Sequence, residues 1–462
     1  MSDRTSTESI GIGLDFGTSN SGAAFFDGKY IIPIPLEADN PQARVAQSTL
    51  FITNEHETVI GQAAIQAFYQ DHSGRPKKIE KILVGSLTQV YSDGLEVTED
   101  VFAQVDSLAG GRLFRSLKSE LTSEHASTRV FGKHLQIHEL IGSVLSQVRH
   151  KAEEHLQREV TAVTLGRPVV FSGDLSQPAQ ERAQRRLMNA ADYAGFKEIR
   201  FELEPVAAAL NYGFQSRQRQ KVLIFDFGGG TLDLTVALVG GSRPEEIITS
   251  GGIALGGDVL DKILVQDLLL DHFGARSTFG EQESPFPRAL SQALLHWETI
   301  LKLHQPSVLG YLGLVRASSN QPSRIKAFES LIINHMGVQL FKAVEDAKIE
   351  LSDQQLGIIR LVADNLDIWQ PVVRGQFEAT IGHVLEQIET RIGEVLSSAK
   401  LGPSQIDRVV RTGGSSAIPS VISLLQRLFG EEKVIATDLF GSVAAGLALR
   451  AYQQTDERTD LL

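Results

Sequence analysis

The chain has 462 residues, 42% of them hydrophobic, which is enough to bury a large core spread over two to four domains. A formal charge of −12 without a basic run argues against nucleic acid or an anionic membrane as partner, and the absence of cysteine excludes disulfides, thiolate zinc sites and thiol catalysis. No apolar run approaches the ~18 residues of a membrane span and the opening MSDRTSTES has no signal-peptide core, so the expected location is the cytoplasm.

Ile10 to Phe26 reads IGIGLDFGTSNSGAAFF: an apolar strand, Asp15-Phe16-Gly17, a small polar run Thr18-Ser19-Asn20-Ser21, and a second strand. Lys29 to Leu36 continues as a strand. Residues 37 to 135 are mixed, with polar loops around Asp71 to Lys78 and Ser92 to Asp100, and read as an inserted subdomain. Within it, Arg112 to Leu121 is apolar and helix-compatible and carries Lys118. His134 and His138 sit four apart and read as surface residues. Gln136 to Gln157 has Leu140, Ile141, Val144, Leu145 and Val148 at helical spacing, a long amphipathic helix. Val160 to Leu165 is a buried-type strand ending at Gly166-Arg167-Pro168; Pro178 to Gly195 is a helix with Gly195 at its C-terminal cap. A short strand, Ile199 to Leu203, then runs into Glu204-Pro205 and a row of alanines, the start of a tightly packed helix.

Val222 to Val239 is the centre of the chain. Apolar and β-branched residues lead to Asp226, three glycines (Gly228, Gly229, Gly230), Thr231, Asp233 and a returning β-rich run. This is a hairpin, because glycine tolerates the turn and the flanks suit a pleated, half-buried surface. Its bare backbone lets N–H groups approach an anion, Thr231 adds a hydroxyl, and Asp226 and Asp233 can hold Mg²⁺ through its waters. Asp-Phe-Gly occurs at Asp15 and again at Asp226, 211 residues apart, so the chain reads as an internal repeat whose two hairpins face one polyphosphate from opposite sides. The GxGxxGxV, VAIK and HRD elements of a protein kinase are missing.

Beyond the second hairpin, Ser250 to Leu264 is a glycine-rich turn entering a helix near Asp258, and residues 272 to 330 are broken up by prolines. Val338 to Leu351 is a helix bearing Glu345, Lys348 and Glu350. Phe377 to Ala399 is amphipathic. Arg408 to Val410 opens a strand that ends in Thr412-Gly413-Gly414-Ser415-Ser416; Ala417 to Phe429 is helical; Val434 to Ala436 leads to Asp438 and a small-residue helix, Gly441 to Leu449. Strands alternating with helices at this spacing define an α/β fold.

Five of these stretches, in order, resemble the nucleotide-binding part of the DnaK-type chaperones of the heat shock protein 70 family: IGLDFGTSNS, EPVAAAL, FDFGGGTLDL, EDAKIELS and TGGSSAIPSV, with LGGDVLD as a sixth. GRPVVF and DLFGSVAAGLA resemble the short YegD-like branch. The resemblance implies a two-lobed actin-like ATPase fold of duplicated sheet-plus-helix cores, each with an outer subdomain. Lobe I would be 10–220 (core 10–36 and 136–220, outer part about 37–135). Lobe II would be 221–450 (core 221–258 and 377–450, outer part about 259–376), followed by a polar tail at 451–462.

It further implies ATP or ADP with Mg²⁺. The phosphates would lie against Asp15, Gly17, Thr18, Ser19 and Asn20 and against Asp226 to Asp233. The hydrated metal would be held by Asp15, Asp226, Asp233 and Glu204. Thr231 would orient water, Lys118 would be the catalytic lysine, and adenosine would lie between Glu345, Lys348 and Ser352 and Gly413, Gly414 and Ser415. Pro168 matches the family's switch proline, its arginine partner being Arg182, Arg185 or Arg186. The expected function is an ATP-hydrolysing, chaperone-like switch of low turnover that acts through a protein partner or co-chaperone. No peptide-binding domain is visible, Asp460-Leu461-Leu462 reads as a linker remnant, and the unusual outer part of lobe II argues against the usual exchange factor. The alternatives are a nucleotide-sensing or actin-like filament protein, and a small-molecule kinase on the same fold.

Overall fold

The structure, a computed structural model, describes residues 10–37, 45–73, 79–90, 96–106, 110–125, 127–131, 133–241 and 243–459, with side chains described outside 72–109, 298 and 455–459. The opening MSDRTSTES, Asp460-Leu461-Leu462 and the predicted loop positions at 74–78 and 91–95 lie outside the described residues. Contacts divide the chain into two compact units, Met1–Phe68 with Gly111–Asp258 and His383–Leu462, and Tyr69–Gly110 with Val259–Gly382.

The first unit holds two sheets of the same design. In one, the strand Ile10–Phe16 pairs antiparallel with Asn20–Phe26 and parallel with Val160–Arg167, and the path extends to Ile31–Pro33 on one side and Glu198–Leu203 on the other. In the other, Gln220–Phe227 pairs antiparallel with Leu232–Val239 and parallel with Arg408–Thr412, extending to Glu246–Ile253 and Val434–Ala436. Along these five-strand paths the two sheets match in order and direction, the first carrying one further strand, Val45–Gln47, paired antiparallel with Asn20–Phe26, so the repeat first visible as two Asp-Phe-Gly tripeptides is a repeat of topology.

The inner strands are buried on both faces: Val222, Leu223, Ile224 and Phe225 have no exposed surface, and neither do Ile12, Leu14 and Phe16. Near-continuous apolar runs are what strands covered on both sides require. The cover comes from helices Ile137–Leu156 and Gln177–Tyr193, from Glu204–Gln215, and from Ser442–Thr459, which packs on the first hairpin, on the Val160–Arg167 strand and on Glu204–Gln215. A Cβ on Gly446 would collide with the carbonyl oxygen of Ala207, and one on Gly13 with the backbone at Leu447 and Ala448. This backbone-to-backbone approach explains the alanine row after Glu204: Ala207, Ala208 and Ala209 are buried against Val443 and Leu447.

The second unit contains helices Pro306–Ala317, Pro322–Ile333 and Gly337–Asp353 and two hairpins, Leu356–Ala363 with Leu366–Val373 and the long pair Ile79–Val90 with Glu96–Asp106. Strand Glu96–Asp106 takes up the Glu96 to Asp100 part of the polar loop expected at Ser92 to Asp100. Strand Glu246–Ile253 likewise takes up the start of the glycine-rich turn expected from Ser250, Phe377 to Ala399 divides into Arg374–Thr380 and Gly382–Ser398, and only Ile31–Pro33 of the Lys29–Leu36 stretch is strand. His134 is exposed, but His138 is half buried at the start of its helix. Among the described residues no helix is long and apolar enough to cross a membrane.

Candidate functional site

The turn of the first hairpin closes through Gly17 N–H donating to Asn20 O at 3.0 Å, and a side chain on Gly17 would strike that same carbonyl. The turn of the second closes in the same way, Gly228 N–H donating to Thr231 O at 3.1 Å. These two turns meet: a Cβ on Gly229 would stand 2.5 Å from Ser19 Oγ, and one on Gly230 2.6 Å from Thr18 Oγ1. The glycines are therefore needed for the approach of one turn to the other. The LGGD motif supports the second turn from behind, with Gly257 N–H and Asp258 N–H donating to Gly228 O and Gly229 O at 3.0 and 2.8 Å, and Ser415 Oγ donating to Gly228 O at 3.0 Å.

Each hairpin places an aspartate just before its turn. Asp15 and Asp226 end their first strands, Asp226 lies opposite Asp233 in register, and Glu204 opens its helix at the end of strand Glu198–Leu203. Lys118 arrives by another route. The segment read as helix-compatible is in fact a strand, Arg112–Phe114, paired with Leu50–Ile52, then a bend at Ser116 with φ of 52° and a 3₁₀ turn, Leu117–Thr122. Its apolar spacing fitted a helix, but pairing with a distant strand takes the first half. The short turn buries Lys118 and sets its Nζ 2.5 Å from Glu204 Oε1. That turn is tied down by Arg186, which donates to Leu121 O and Ser123 O, and by Arg182, which donates to Thr122 O, whereas Arg185 is exposed beside Glu181.

Charge crowds here. Burial and then Glu204 push the Asp15 carboxyl up to about 7, with Lys118 opposing. Burial and Glu204 do the same to Asp233, also to about 7, against hydrogen bonds from Thr231 Oγ1 at 2.7 Å and Val169 N–H at 2.8 Å. Asp226 is raised well above its ordinary range by burial and by Glu204, Asp233 and Asp15. Burial works against the charge of Lys118, yet Glu204, Asp15 and Asp233 together hold its ammonium above its ordinary value.

These groups line an open pocket with an empty volume of about 660 Å³. Of the predicted residues, Asp15, Gly17 to Asn20, Lys118, Glu204, Asp226, Gly228 to Thr231, Gly413 and Gly414 line it. Asp233 sits behind the turn, and Ser415 serves the turn rather than the pocket. Glu345, Lys348 and Ser352 belong to the second unit, on helix Gly337–Asp353, where Lys348 Nζ pairs with Asp261 Oδ1 at 2.7 Å and both side chains are about nine-tenths buried. Lys348 is thus a paired, largely buried lysine.

Sequence reasoning missed Leu439, Phe440 and Val443, which also line the pocket. The Asp438–Gly441 turn presents Phe440: Asp438 Oδ1 accepts from Phe440 N–H and Gly441 N–H at 3.3 and 3.1 Å, and Gly413 N–H donates to Leu439 O at 2.9 Å. An Asp three residues before a Gly is the signal of such a turn.

Among the described residues no group of three or more His, Asp or Glu could ligate a metal ion directly. The donor set still fits a hydrated hard cation: three carboxyls with raised proton affinity, two of them buried, crowd together, and Mg²⁺ keeps much of its own water.

Two matching sheets, each offering a hairpin turn and an aspartate to one pocket, define a duplicated α/β class whose glycine turns can cradle an anion. The family model described as Hsp70 protein matches residues 11–292 and 332–460, so the chain belongs to the Hsp70 family. It is 26% identical to the chaperone protein dnaK of Cyanidioschyzon merolae over 95% of this chain and 61% of that one. It is also 26% identical to the chloroplastic heat shock 70 kDa protein 7 of Arabidopsis thaliana, over 98% and 53%, and to the dnaK of Thalassiosira pseudonana, over 98% and 63%. The chain spans between about half and just under two thirds of the length of these relatives.

Proposed function

We propose that the chain binds Mg·ATP in this pocket and hydrolyses it slowly, acting as a chaperone-type switch that a partner protein reads. The observation that carries the reading is the meeting of the two glycine turns at a pocket that also receives the buried Lys118–Glu204 pair. Turn N–H groups of Thr18 to Asn20 and of Gly229 and Gly230 suit phosphate oxygens, which need donors that approach closely, while the Gly17 and Gly228 N–H groups close the turns themselves. Asp15, Asp226, Asp233 and Glu204 would hold Mg²⁺ through its waters, and the ion when bound neutralises phosphate charge.

In this reading water adds to the γ-phosphorus as the bond to the β–γ bridging oxygen breaks, giving ADP and phosphate. Glu204 and Asp226 accept hydrogen bonds from that water, the Thr231 hydroxyl steadies it, Asp15 sits beside them, and Lys118 balances the charge gathering on the phosphoryl oxygens. Gly413 and Gly414, which line the pocket, would attend the nucleoside. The reading carries lobe boundaries at 10–220 and 221–450, a partner of the co-chaperone kind and the cytoplasm as location; family membership supports the partner.

Mg·ATP binding and single-turnover hydrolysis test the reading. The wild type should bind and hydrolyse; Asp226→Asn and Lys118→Ala should bind within a few-fold of wild type and hydrolyse at least about a hundred-fold more slowly. Unchanged turnover in Asp226→Asn removes the catalytic assignment, and binding without hydrolysis by the wild type makes the chain a nucleotide-sensing scaffold.

A further inference from the structure

A nucleotide has charge at one end and a flat, apolar-faced base at the other, and the pocket is polarised in the same sense. Gly413 links the two ends. A Cβ placed on it would lie 2.8 Å from Asp226 Oδ1, among the acids, while a Cβ on its neighbour Gly414 would lie 3.2 Å from the ring of Phe440. Two consecutive residues, both without side chains, thus run from the charged cluster to an aromatic ring.

That ring has an unusual position. Phe440 is 45% exposed although it lines the pocket, and Leu439 and Val443 line it nearby. A large apolar ring left partly open beside a pocket is a ready partner for a ligand's aromatic face. It is also positioned by its backbone: the Asp438 carboxylate holds the N–H of Phe440 and of Gly441, and Leu439 O is held by Gly413 N–H. Gly414 sets only backbone against its side of the ring.

We propose that Phe440 is a stacking platform for the base of the bound nucleotide, and that it gives this pocket its preference for a nucleotide over a bare polyphosphate. The inference rests on the nucleotide reading above. Stacking acts through the π-face, so the ring selects for a flat aromatic base and gains most from the larger purine.

Calorimetric titration of the full chain, in Mg²⁺, with ADP and with inorganic tripolyphosphate tests the platform. Wild type should bind ADP more tightly than tripolyphosphate. Phe440→Ala should weaken ADP roughly 5- to 100-fold and leave tripolyphosphate within two-fold. Phe440→Leu, which fills the same space without a π-face, should resemble Phe440→Ala, while Phe440→Trp should retain ADP affinity with its indole emission quenched on binding. Equal loss of both ligands in Phe440→Ala, or full rescue by Phe440→Leu, overturns stacking while the phosphate site stands. A wild type that binds tripolyphosphate as tightly as ADP overturns the platform alone; one that binds neither overturns the nucleotide reading with it.

Discussion

Lys118 and Glu204 illustrate how a buried pair depends on both members. Each is shielded from water, and the acids around them leave either one costly alone. Lys118→Met should therefore lower stability by about 3 kcal/mol in urea unfolding, and adding Glu204→Gln should recover much of it. Additive losses would show that the two side chains do not interact. A second acid, Glu329, gives a pH signature away from the pocket. Burial pushes its carboxyl up, with Arg316 Nε 3.2 Å away pulling the other way. A carboxyl whose folded value lies above its unfolded value stabilises the fold while protonated, and that contribution is lost as pH rises through the folded value. Glu329→Gln should thus show a melting temperature that falls less than wild type between pH 4 and pH 7. Parallel slopes would mean that Arg316 fully compensates the burial.

At the scale of elements, glycines separate into those that packing demands and those it tolerates. Gly446→Val would drive a side chain into the backbone of Ala207 and should cost several kcal/mol, on the order of 3. Gly393, inside helix Gly382–Ser398 with open space around it, should gain roughly 0.5–1 kcal/mol as Gly393→Ala. Chemical denaturation of both variants checks the pair; equal effects would mean the helix contact at Gly446 is not a close one.

The same contrast explains what the sequence made legible. The two site hairpins announce themselves locally, by β-rich flanks around glycine, and the helices by their periodicity. The 79–106 hairpin does not, because its strands are broken by charged residues and its pairing is set by register rather than by pattern. Arg112–Phe114 became a strand only because Leu50–Ile52, some sixty residues earlier, pairs with it. Phe440 was hidden for another reason: an exposed phenylalanine in a short turn has no period, and only the meeting of that turn with Gly414 gives it a place.

For the whole molecule, ligand binding should be visible as selective protection. With nucleotide at about a hundred times its dissociation constant, stability should rise by about 2.7 kcal/mol. Hydrogen exchange should slow at 15–21, 226–231 and 412–415, while strand Glu246–Ile253, outside the pocket, stays as it was. Slowing that spares those turns would place the ligand elsewhere.

The helix Ser442–Thr459 covers a hairpin more than four hundred residues before it. On a ribosome, at roughly 5–20 residues per second, the first hairpin waits on the order of 20–90 s for the helix that shelters it. Through that interval its apolar strands have no permanent neighbour on that face, so the time of greatest exposure is set by the length of the message rather than by the speed of folding. A family whose members include proteins named as chaperones contains here a chain whose own first strands are left longest without cover.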